Sequence, residues 1–170
     1  MWSEISLGDT AEVSWGNTST TKKAYVAEGY RAYSASGPDG FVDWAEHDEP
    51  GVVLSAIGAQ CGKTWWAEGA WTSIKNTIWF RSNSPDVDSR FLYYATADPD
   101  IWPKRGAAQP FISQGDARAL KLRLPPLEHQ LVIVGVLSTF DDLIENNRGS
   151  SLYQVGLVRR GGLTGGRSFR

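Results

Sequence analysis

The pattern of apolar and polar residues changes abruptly near residue 125. Residues 119–124 alternate between apolar and polar side chains, which predicts a strand with one buried face. Pro125 and Pro126 end that strand, and Pro126 suits the first position of a helix, where no amide hydrogen is needed. Beyond them, apolar residues recur at spacings of four, three and four: Ile133, Leu137, Phe140 and Ile144. Such a narrow stripe is typical of a coiled-coil helix, so these four side chains predict a docking seam.

Upstream of the helix, the chain predicts one unit of short strands and helices. Residues 51–57 form the clearest buried strand, and residues 71–80 predict one or two more. Residues 89–97 carry apolar residues at helical spacing behind a possible N-cap, Asp88. Residues 34–40 are rich in turn-forming types. We therefore predict an α/β fold of the mixed α+β kind over residues 2–124, followed by the coiled-coil-type helix over residues 125–148.

The last part of the chain breaks the helical pattern. Gly149, Ser150 and Ser151 predict an interruption of the helix. Residues 156–170 are rich in glycine and arginine and lack apolar periodicity. We therefore predict a disordered tail over residues 149–170.

Composition and charge narrow the possible functions. With 170 residues, 41% of them hydrophobic, the chain can bury one core. Its formal charge of −2 argues against polyanion binding through bulk charge, so any nucleic-acid site must concentrate positive charge on one face. A single cysteine, Cys61, fits a reducing compartment. No signal peptide is visible, and the longest apolar stretch, residues 131–137, is too short to cross a bilayer. These features predict a cytoplasmic protein without a membrane segment.

The sequence offers binding residues and no catalytic constellation. His47 lies among acidic residues and His129 lies on the predicted helix, and neither has a cysteine or second histidine at metal-ligand spacing. Residues 58–64 carry Gly-Ala-Gln-Cys-Gly-Lys-Thr, but three residues separate the glycines where a phosphate-binding loop has four. A tight turn between two strands is the plainer interpretation of this segment. We predict a protein that is not an enzyme and uses no metal or cofactor.

Aromatic and basic residues supply the candidate binding surface. Eight tryptophans can serve as core, as a carbohydrate platform or as a stacking surface for bases. Adjacent Trp65 and Trp66 must point to opposite faces of a strand, so one ring is expected to be exposed. Basic residues cluster in predicted loops, where binding residues concentrate: Lys22, Lys23, Lys63, Lys104 and Arg105.

Several motifs together resemble those of the specificity subunit of type I restriction–modification systems. They are Gly-x-x-Gln-Pro-x-Ile-Ser at residues 106–113, Leu-Pro-Pro-Leu-Glu-x-Gln at residues 124–130 and Phe-Asp-Asp-Leu-Ile-Glu-Asn-Asn at residues 140–147. Ile-Ser-Leu-Gly-Asp at residues 5–9, the Gly-Lys-Thr turn at residues 62–64 and Phe-Leu-Tyr-Tyr at residues 91–94 occur in the family's usual order. The resemblance covers about residues 2–148. Subunits of this family normally carry two such repeats, and this chain carries one.

The resemblance implies a sequence-specific DNA-recognition subunit. It implies a target recognition domain that binds double-stranded DNA and a helix that docks on partners, with methylation and cleavage left to separate modification and restriction subunits. A single repeat would need a second copy, or a second recognition repeat, to read a bipartite site. The implied DNA contacts are the basic residues above, with Lys63 on a phosphate, and also Gln60, Thr64, Trp65 and Gln109.

Two other interpretations remain open at the level of sequence. The chain could be a Trp-rich carbohydrate- or surface-binding module with an oligomerising helix, which suits the acidic isoelectric point near 5.7. It could also be an inactive fragment of a specificity subunit, because the helix is short and the tail departs from the family pattern. The target bases cannot be predicted, since no base-reading code exists for this domain.

Overall fold

The structure, a computed structural model, describes residues 2–161, and it describes side chains as far as Arg148. Within this range the chain forms nine strands: β1 (Ser3–Ser6), β2 (Ala11–Trp15), β3 (Tyr30–Ser34), β4 (Gly37–Val42), β5 (Gly51–Ser55), β6 (Thr64–Ala67), β7 (Trp71–Ser73), β8 (Thr77–Ser82) and β9 (Lys121–Leu124). The α-helices of the same range are α1 (Leu7–Thr10), α2 (Ser89–Ala95), α3 (Gln114–Ala119) and α4 (Leu127–Gly161). Two 3-10 turns lie at Lys22–Ala24 and Pro99–Ile101. This is the mixed α+β fold that the sequence predicts.

The strands form three small sheets. The central sheet has the order β2-β8-β5-β6 and is antiparallel throughout. A second sheet has the order β4-β3-β7, with β7 parallel to β3. The third pairs β1 with β9, so the first and last strands of the domain are hydrogen-bonded to each other. Residues 71–80, predicted as one or two strands, form two strands that belong to different sheets.

Both faces of the central sheet are covered, and this explains its long apolar runs. Val52 and Leu54 of β5 enter a cluster that includes side chains of α2, whereas Val53 enters a second cluster that joins the sheet to β3 and β7. In β8, Phe80 enters the first cluster and Trp79 the second. Strands that are buried on both faces lose the alternation of apolar and polar residues. The buried strand predicted over residues 51–57 is confirmed, because every residue of β5 is buried.

The turn predicted over residues 34–40 is much shorter in the structure. Strand β4 begins at Gly37, so only Ala35 and Ser36 connect it to β3. Gly37 has a φ of +105°, and a Cβ at this position would lie 2.9 Å from the indole of Trp65. The glycine therefore starts a strand that passes close to a tryptophan, and the expectation of a longer loop is corrected.

Capping side chains fix the ends of the short helices. Asp88 accepts a hydrogen bond from the Phe91 amide at 2.8 Å, which confirms it as the N-cap of α2. Ser113 and Asp116 form a reciprocal capping box at the start of α3. Helix α3 ends at Ala119, so strand β9 begins two residues later than predicted, with its leucines buried and Lys121 and Arg123 exposed.

Gln130 fastens the beginning of α4 to the upstream domain. Its side chain is 1% exposed. Its Nε2 donates to the carbonyls of Asp86 at 3.0 Å and Pro125 at 2.9 Å, and its Oε1 accepts from the Asp88 amide at 2.9 Å. We refer to these three bonds as the Gln130 clamp. The buried side-chain amide of Gln130 thus has two partners for its nitrogen and one for its oxygen, as a buried polar group requires.

The chain divides into two compact units, Met1–Val134 and Gly135–Arg170. The boundary lies inside α4 because Ile133 and Val134 pack against the first apolar cluster. Ile133 therefore contributes to the domain core, which corrects its prediction as a free docking residue. The upstream domain extends ten residues beyond the predicted boundary at residue 124.

The exposed apolar surface of α4 is wider than the predicted seam. Phe140 and Ile144 are exposed and Leu137 is half-buried. Further apolar residues of the helix are also exposed: Leu131, Val132, Val136 and Leu143. The helix assignment continues through Gly149, Ser150 and Ser151 to Gly161, beyond the interruption expected there. Residues 162–170, the rest of the predicted disordered tail, lie outside the described residues. No helix in the described part of the chain has the length and apolar character needed to cross a membrane.

Candidate nucleic-acid interface

Several loops meet where strand β5 ends. The Ser55 amide donates to the Lys63 carbonyl at 2.8 Å, and the Ser55 hydroxyl donates to the Ala35 carbonyl at 2.9 Å. The next residue, Ala56, donates its amide to the Asn76 carbonyl at 3.0 Å and accepts from the Ile112 amide at 2.8 Å. The Lys75 amide donates to the Thr20 carbonyl at 3.1 Å, which adds the turn near residue 22. We call this assembly, residues 20–24, 35–36, 57–64, 74–76 and 103–112, the loop end.

The glycine-rich segment before β6 is a tight turn, as its plainer interpretation predicts. Gly58 and Gly62 have φ angles of +108° and +96°. A Cβ on Gly62 would lie 2.7 Å from the Pro99 carbonyl oxygen and 2.9 Å from Lys104 Cε, so only glycine fits. The turn leaves the Lys63 side chain exposed. Lys104 lies close to Gly62, so the structure brings two predicted DNA-binding residues, Lys63 and Lys104, near each other.

The other predicted contacts differ in how freely they could reach a ligand. Gln60 and Thr64 are half-buried, and the Thr64 hydroxyl donates to the Thr96 carbonyl at 3.5 Å. Gln109 is exposed on the loop between Arg105 and Phe111, whose backbones pair with each other.

Three of the six cations of the loop end have a carboxylate partner. Lys104 lies 3.4 Å from Asp100. Arg105 donates two hydrogen bonds to Asp116, at 2.7 and 2.6 Å, and these bonds lower the pKa of Asp116 to about 2. The third pair of the loop end joins Lys22 to Asp39. A paired cation contributes less to polyanion attraction, because its carboxylate repels the incoming phosphate.

Three lysines of the loop end are unpaired. Lys23, Lys63 and Lys75 are exposed, and across residues 2–148 no carboxylate oxygen lies within 4.0 Å of their ammonium groups. Lys75 is absent from the residues predicted from the sequence. It lies in the turn between β7 and β8. The sequence does not reveal this turn, because residues 71–80 have the apolar pattern of a nearly continuous strand. The Asn76 φ of +72° is the local signature of this turn.

Neither tryptophan of the adjacent pair is fully exposed. Trp65 packs on the second apolar cluster and Trp66 on the first, so the two rings point to opposite faces as predicted. Both are half-buried, since each face of the central sheet is covered. The expectation of one exposed ring is therefore wrong. Trp66 instead donates its indole N–H to Glu68 at 3.0 Å and lies under the Arg90 guanidinium, 4.8 Å from the ring.

Three further tryptophans are buried and unavailable as a binding platform. Trp71, Trp79 and Trp102 are buried. His47 is sandwiched between two of them, with ring centroids 4.1 Å from Trp71 and 4.4 Å from Trp79. Its Nε2 atom is buried without a hydrogen-bond partner. Within residues 2–148 no group of three or more His, Cys, Asp or Glu side chains is arranged to hold a metal ion.

Comparison with known proteins decides the family. The model for the type I restriction modification DNA specificity domain matches residues 1–153. The chain belongs to this family. It is 24% identical over 115 residues to the type I restriction enzyme EcoprrI specificity subunit of Escherichia coli, covering 67% of this chain and 28% of that protein.

Solved structures of the family share the fold of this specificity domain. The type I restriction–modification S subunit of M. genitalium superposes with a TM-score of 0.74 at 19% identity, over 91% of this chain and 42% of that one. A chain from a structure of the type I restriction–modification system, described for its complex assembly and conformational transition, superposes with a TM-score of 0.64 at 19% identity. That match covers 94% of this chain and 43% of the other. The chain thus spans less than half the length of the relatives that it matches.

The family assignment confirms the resemblance, the fold class and the non-catalytic class predicted from the sequence. The chain carries a DNA specificity domain, and specificity subunits are non-catalytic.

Proposed function

We propose that this chain recognises double-stranded DNA and directs separate methyltransferase and restriction subunits of a type I system to a bipartite site. One observation carries the proposal at the level of residues. Within a chain of net charge −2, the loop end gathers Lys23, Lys63 and Lys75, none of which has a carboxylate partner among the described residues. Local concentration of positive charge is what an acidic DNA-binding protein requires.

Distinct residues have distinct tasks in this proposal. Lys22, Lys23, Lys63, Lys104 and Arg105 contact phosphates and set the register of the domain on the duplex. Gln60 and Gln109 carry amides that can read base edges from the two loops beside Ala56. Thr64 and Trp65 are half-buried, with the Thr64 hydroxyl bonded to the Thr96 carbonyl and the Trp65 indole next to Gly37, so any contact they make is at the edge of the interface.

The proposed partners follow from the single repeat and from α4. Reading a two-part site requires a second recognition repeat in addition to the one described here. The exposed apolar side chains of α4, including Leu137, Phe140 and Ile144 of the predicted seam, provide the surface for such pairing or for a modification subunit. We propose that these assemblies form in the cytoplasm, with no cofactor or metal bound by this chain.

A salt titration tests the DNA-binding proposal directly. Binding of the chain to a fluorescent duplex should weaken steeply between about 50 and 200 mM salt, because phosphate contacts release condensed counterions. Stacking of sugars on tryptophan, the carbohydrate-module alternative, would change little over the same range. A chain that binds no duplex at about 50 mM salt would be an inactive fragment and would overturn the proposal.

A further inference from the structure

A cleft at the loop end is lined by cations and hydroxyl groups. It lies between the turns near residues 21, 35 and 75 and has a volume of about 260 Å³. Its polar lining comes from Thr21, Lys22, Ser34, Ser36, Lys75 and Asn76. We call it the Lys22–Lys75 cleft. No carboxylate lines it, unlike three other concave surfaces of the domain, although the Asp39 carboxylate is hydrogen-bonded to the lining residues Lys22 and Ser34.

Those other surfaces are unsuited to an anion. A second, about 550 Å³, contains Glu49 and Asp88. A third contains Asp116, and a fourth, beside the Gln130 clamp, contains Asp86. Each of them would place an incoming negative charge near a carboxylate. The Lys22–Lys75 cleft offers ammonium, hydroxyl and amide donors instead, which are the groups that bind phosphate oxygens.

Asp39 fixes one of the two lysines at the mouth of the cleft. Its carboxylate accepts hydrogen bonds from the Lys22 ammonium, from the Tyr25 hydroxyl at 2.6 Å and from the Ser34 hydroxyl at 2.8 Å. Lys22 Nζ also lies 3.5 Å from the Ser36 hydroxyl. Partial burial raises the pKa of Asp39, but the hydrogen bonds outweigh it, so the pKa lies below its ordinary value. The carboxylate is thus charged at neutral pH and cancels the charge of the lysine that it positions.

We propose that the Lys22–Lys75 cleft holds one phosphodiester group of the DNA backbone. Lys75 supplies the uncompensated positive charge. Lys22 supplies a hydrogen-bond donor that Asp39 holds in position. Asp39 neutralises the charge of Lys22 in the free protein, and a bound phosphate would share the Lys22 ammonium with Asp39. The inference deepens the proposed function and rests on it, and it adds Lys75, Ser36 and Asn76 to the interface.

The size and composition of the cleft favour a backbone phosphate over a free small molecule. Sites for small molecules are commonly about 300–1,000 Å³, mostly apolar and able to enclose their ligand. This cleft is smaller and carries two ammonium groups, and the loop end around it holds two further unpaired lysines, Lys23 and Lys63. A single phosphate group that belongs to a longer polyanion fits that arrangement.

The test measures binding to a duplex of arbitrary sequence and about 30 base pairs over a series of salt concentrations. It compares the salt dependence of the full chain with that of three variants. Lys75→Ala should weaken binding and lower the slope of log K against log salt by about 0.9, the value of one phosphate contact. Asp39→Asn should raise the slope, because Lys22 regains its full charge. Arg123→Ala, which removes one exposed charge from β9, should leave the slope unchanged and serves as the matched control. The Lys75 main-chain bond to Thr20 is retained in the alanine variant, so its melting temperature should not change.

The possible outcomes distinguish a failure of the cleft assignment from a failure of the proposed DNA recognition. Wild-type binding with an unchanged slope in Lys75→Ala would overturn the cleft and leave DNA recognition intact. No duplex binding by the wild type would overturn both. In a parallel arm, inorganic phosphate or a nucleoside diphosphate is added at low salt. If these stabilise the wild type but not Lys75→Ala, while the DNA slope is unchanged, the cleft is a site for small anions and the backbone assignment is wrong.

Discussion

At the scale of single residues, the loop end is distinguished by which charges lack partners. Lys63 is exposed on the turn where Gly62 lies close to Lys104, and its main-chain carbonyl accepts a hydrogen bond from the Ser55 amide. Its side chain can therefore be removed without disturbing the fold. This separation of charge from structure makes Lys63 a direct probe of DNA binding.

Lys63→Ala should weaken DNA binding of the assembled complex and lower its salt slope by about one. The melting temperature should stay unchanged, since no hydrogen bond of the Lys63 side chain is present in the described structure. Fluorescence anisotropy over a salt series measures the first effect, and thermal unfolding measures the second. A variant that unfolds, with no binding defect separable from the loss of structure, would show Lys63 to be structural.

His47 should make the domain less stable below neutral pH. Burial lowers the pKa of His47, and although Glu46 opposes this, the net shift is downward. The unfolded chain therefore takes up a proton near pH 6.5 that the folded imidazole resists. The contribution of His47 to the free energy of unfolding is fully present above that pH. It decreases as the pH falls, until the folded imidazole also protonates. His47→Asn should lose this component of the pH dependence, whereas His129→Asn, at an exposed position of α4, should retain it. Unfolding curves at pH 7.5 and 5.5 for both variants measure the difference, and identical pH responses would refute the assignment.

At the scale of secondary structure elements, the junction between β9 and α4 is the most tightly specified. The proline pair at residues 125–126 ends the strand, and Gln130, one turn into the helix, bonds back to the loop before α2. Ile133 and Val134 then complete the first apolar cluster. The first two turns of the helix are thus part of the domain fold.

Gln130→Ala should destabilise the domain by about 2 kcal/mol or more. The substitution leaves two carbonyls and one amide of the clamp without partners, one in a buried and two in partly buried settings, and each such group costs about 1–3 kcal/mol where it cannot reach water. His129→Ala, on the exposed side of the same turn, should have a small effect. Urea unfolding compares the two. Equal stabilities would mean that the clamp contributes nothing measurable.

The strands and helices could be predicted from the sequence where local signals are strong, and not where tertiary packing decides. The alternation in β9, the apolar run of β5 and the Asp88 cap are local signals, and each predicts its element. The course of residues 34–40 depends on Gly37 meeting Trp65, a contact between distant segments. The partition of residues 71–80 between two sheets is equally non-local, and this is why Lys75 escapes prediction.

At the scale of the whole molecule, the chain combines a recognition domain with a helix that exposes many apolar side chains. The periodicity of the sequence predicts the helix, but it cannot predict which face the domain covers. Ile133 packs on the domain, so the exposed stripe includes Val136 and Leu143 as well as Phe140 and Ile144. Exposed apolar area of this kind is a liability unless another protein covers it.

Phe140→Asp combined with Ile144→Asp should abolish association of the chain with itself or with a modification subunit. Both side chains are exposed, at 58% and 49%, so the recognition domain should remain folded. Helix pairing would remove water from the two new carboxylates. The free-energy cost of this desolvation exceeds the free energy gained from the contact. Ser138→Asp adds a charge at a different position around the same helix and should leave association intact. Light scattering, with and without the modification subunit, provides the measurement. A wild-type chain that stays monomeric and ignores the modification subunit would contradict the assembly proposal.

The Gln130 clamp has a consequence for how such genes can recombine. Its three partners are all main-chain groups, two carbonyls and one amide, so it places no demand on the side chains at residues 86, 88 or 125. A recognition domain with a different base preference could be exchanged in front of the same helix, provided that its loop followed the same path. If α4 docks on partners as proposed, an exchange of this kind would change the target sequence and leave the docking surface unaltered.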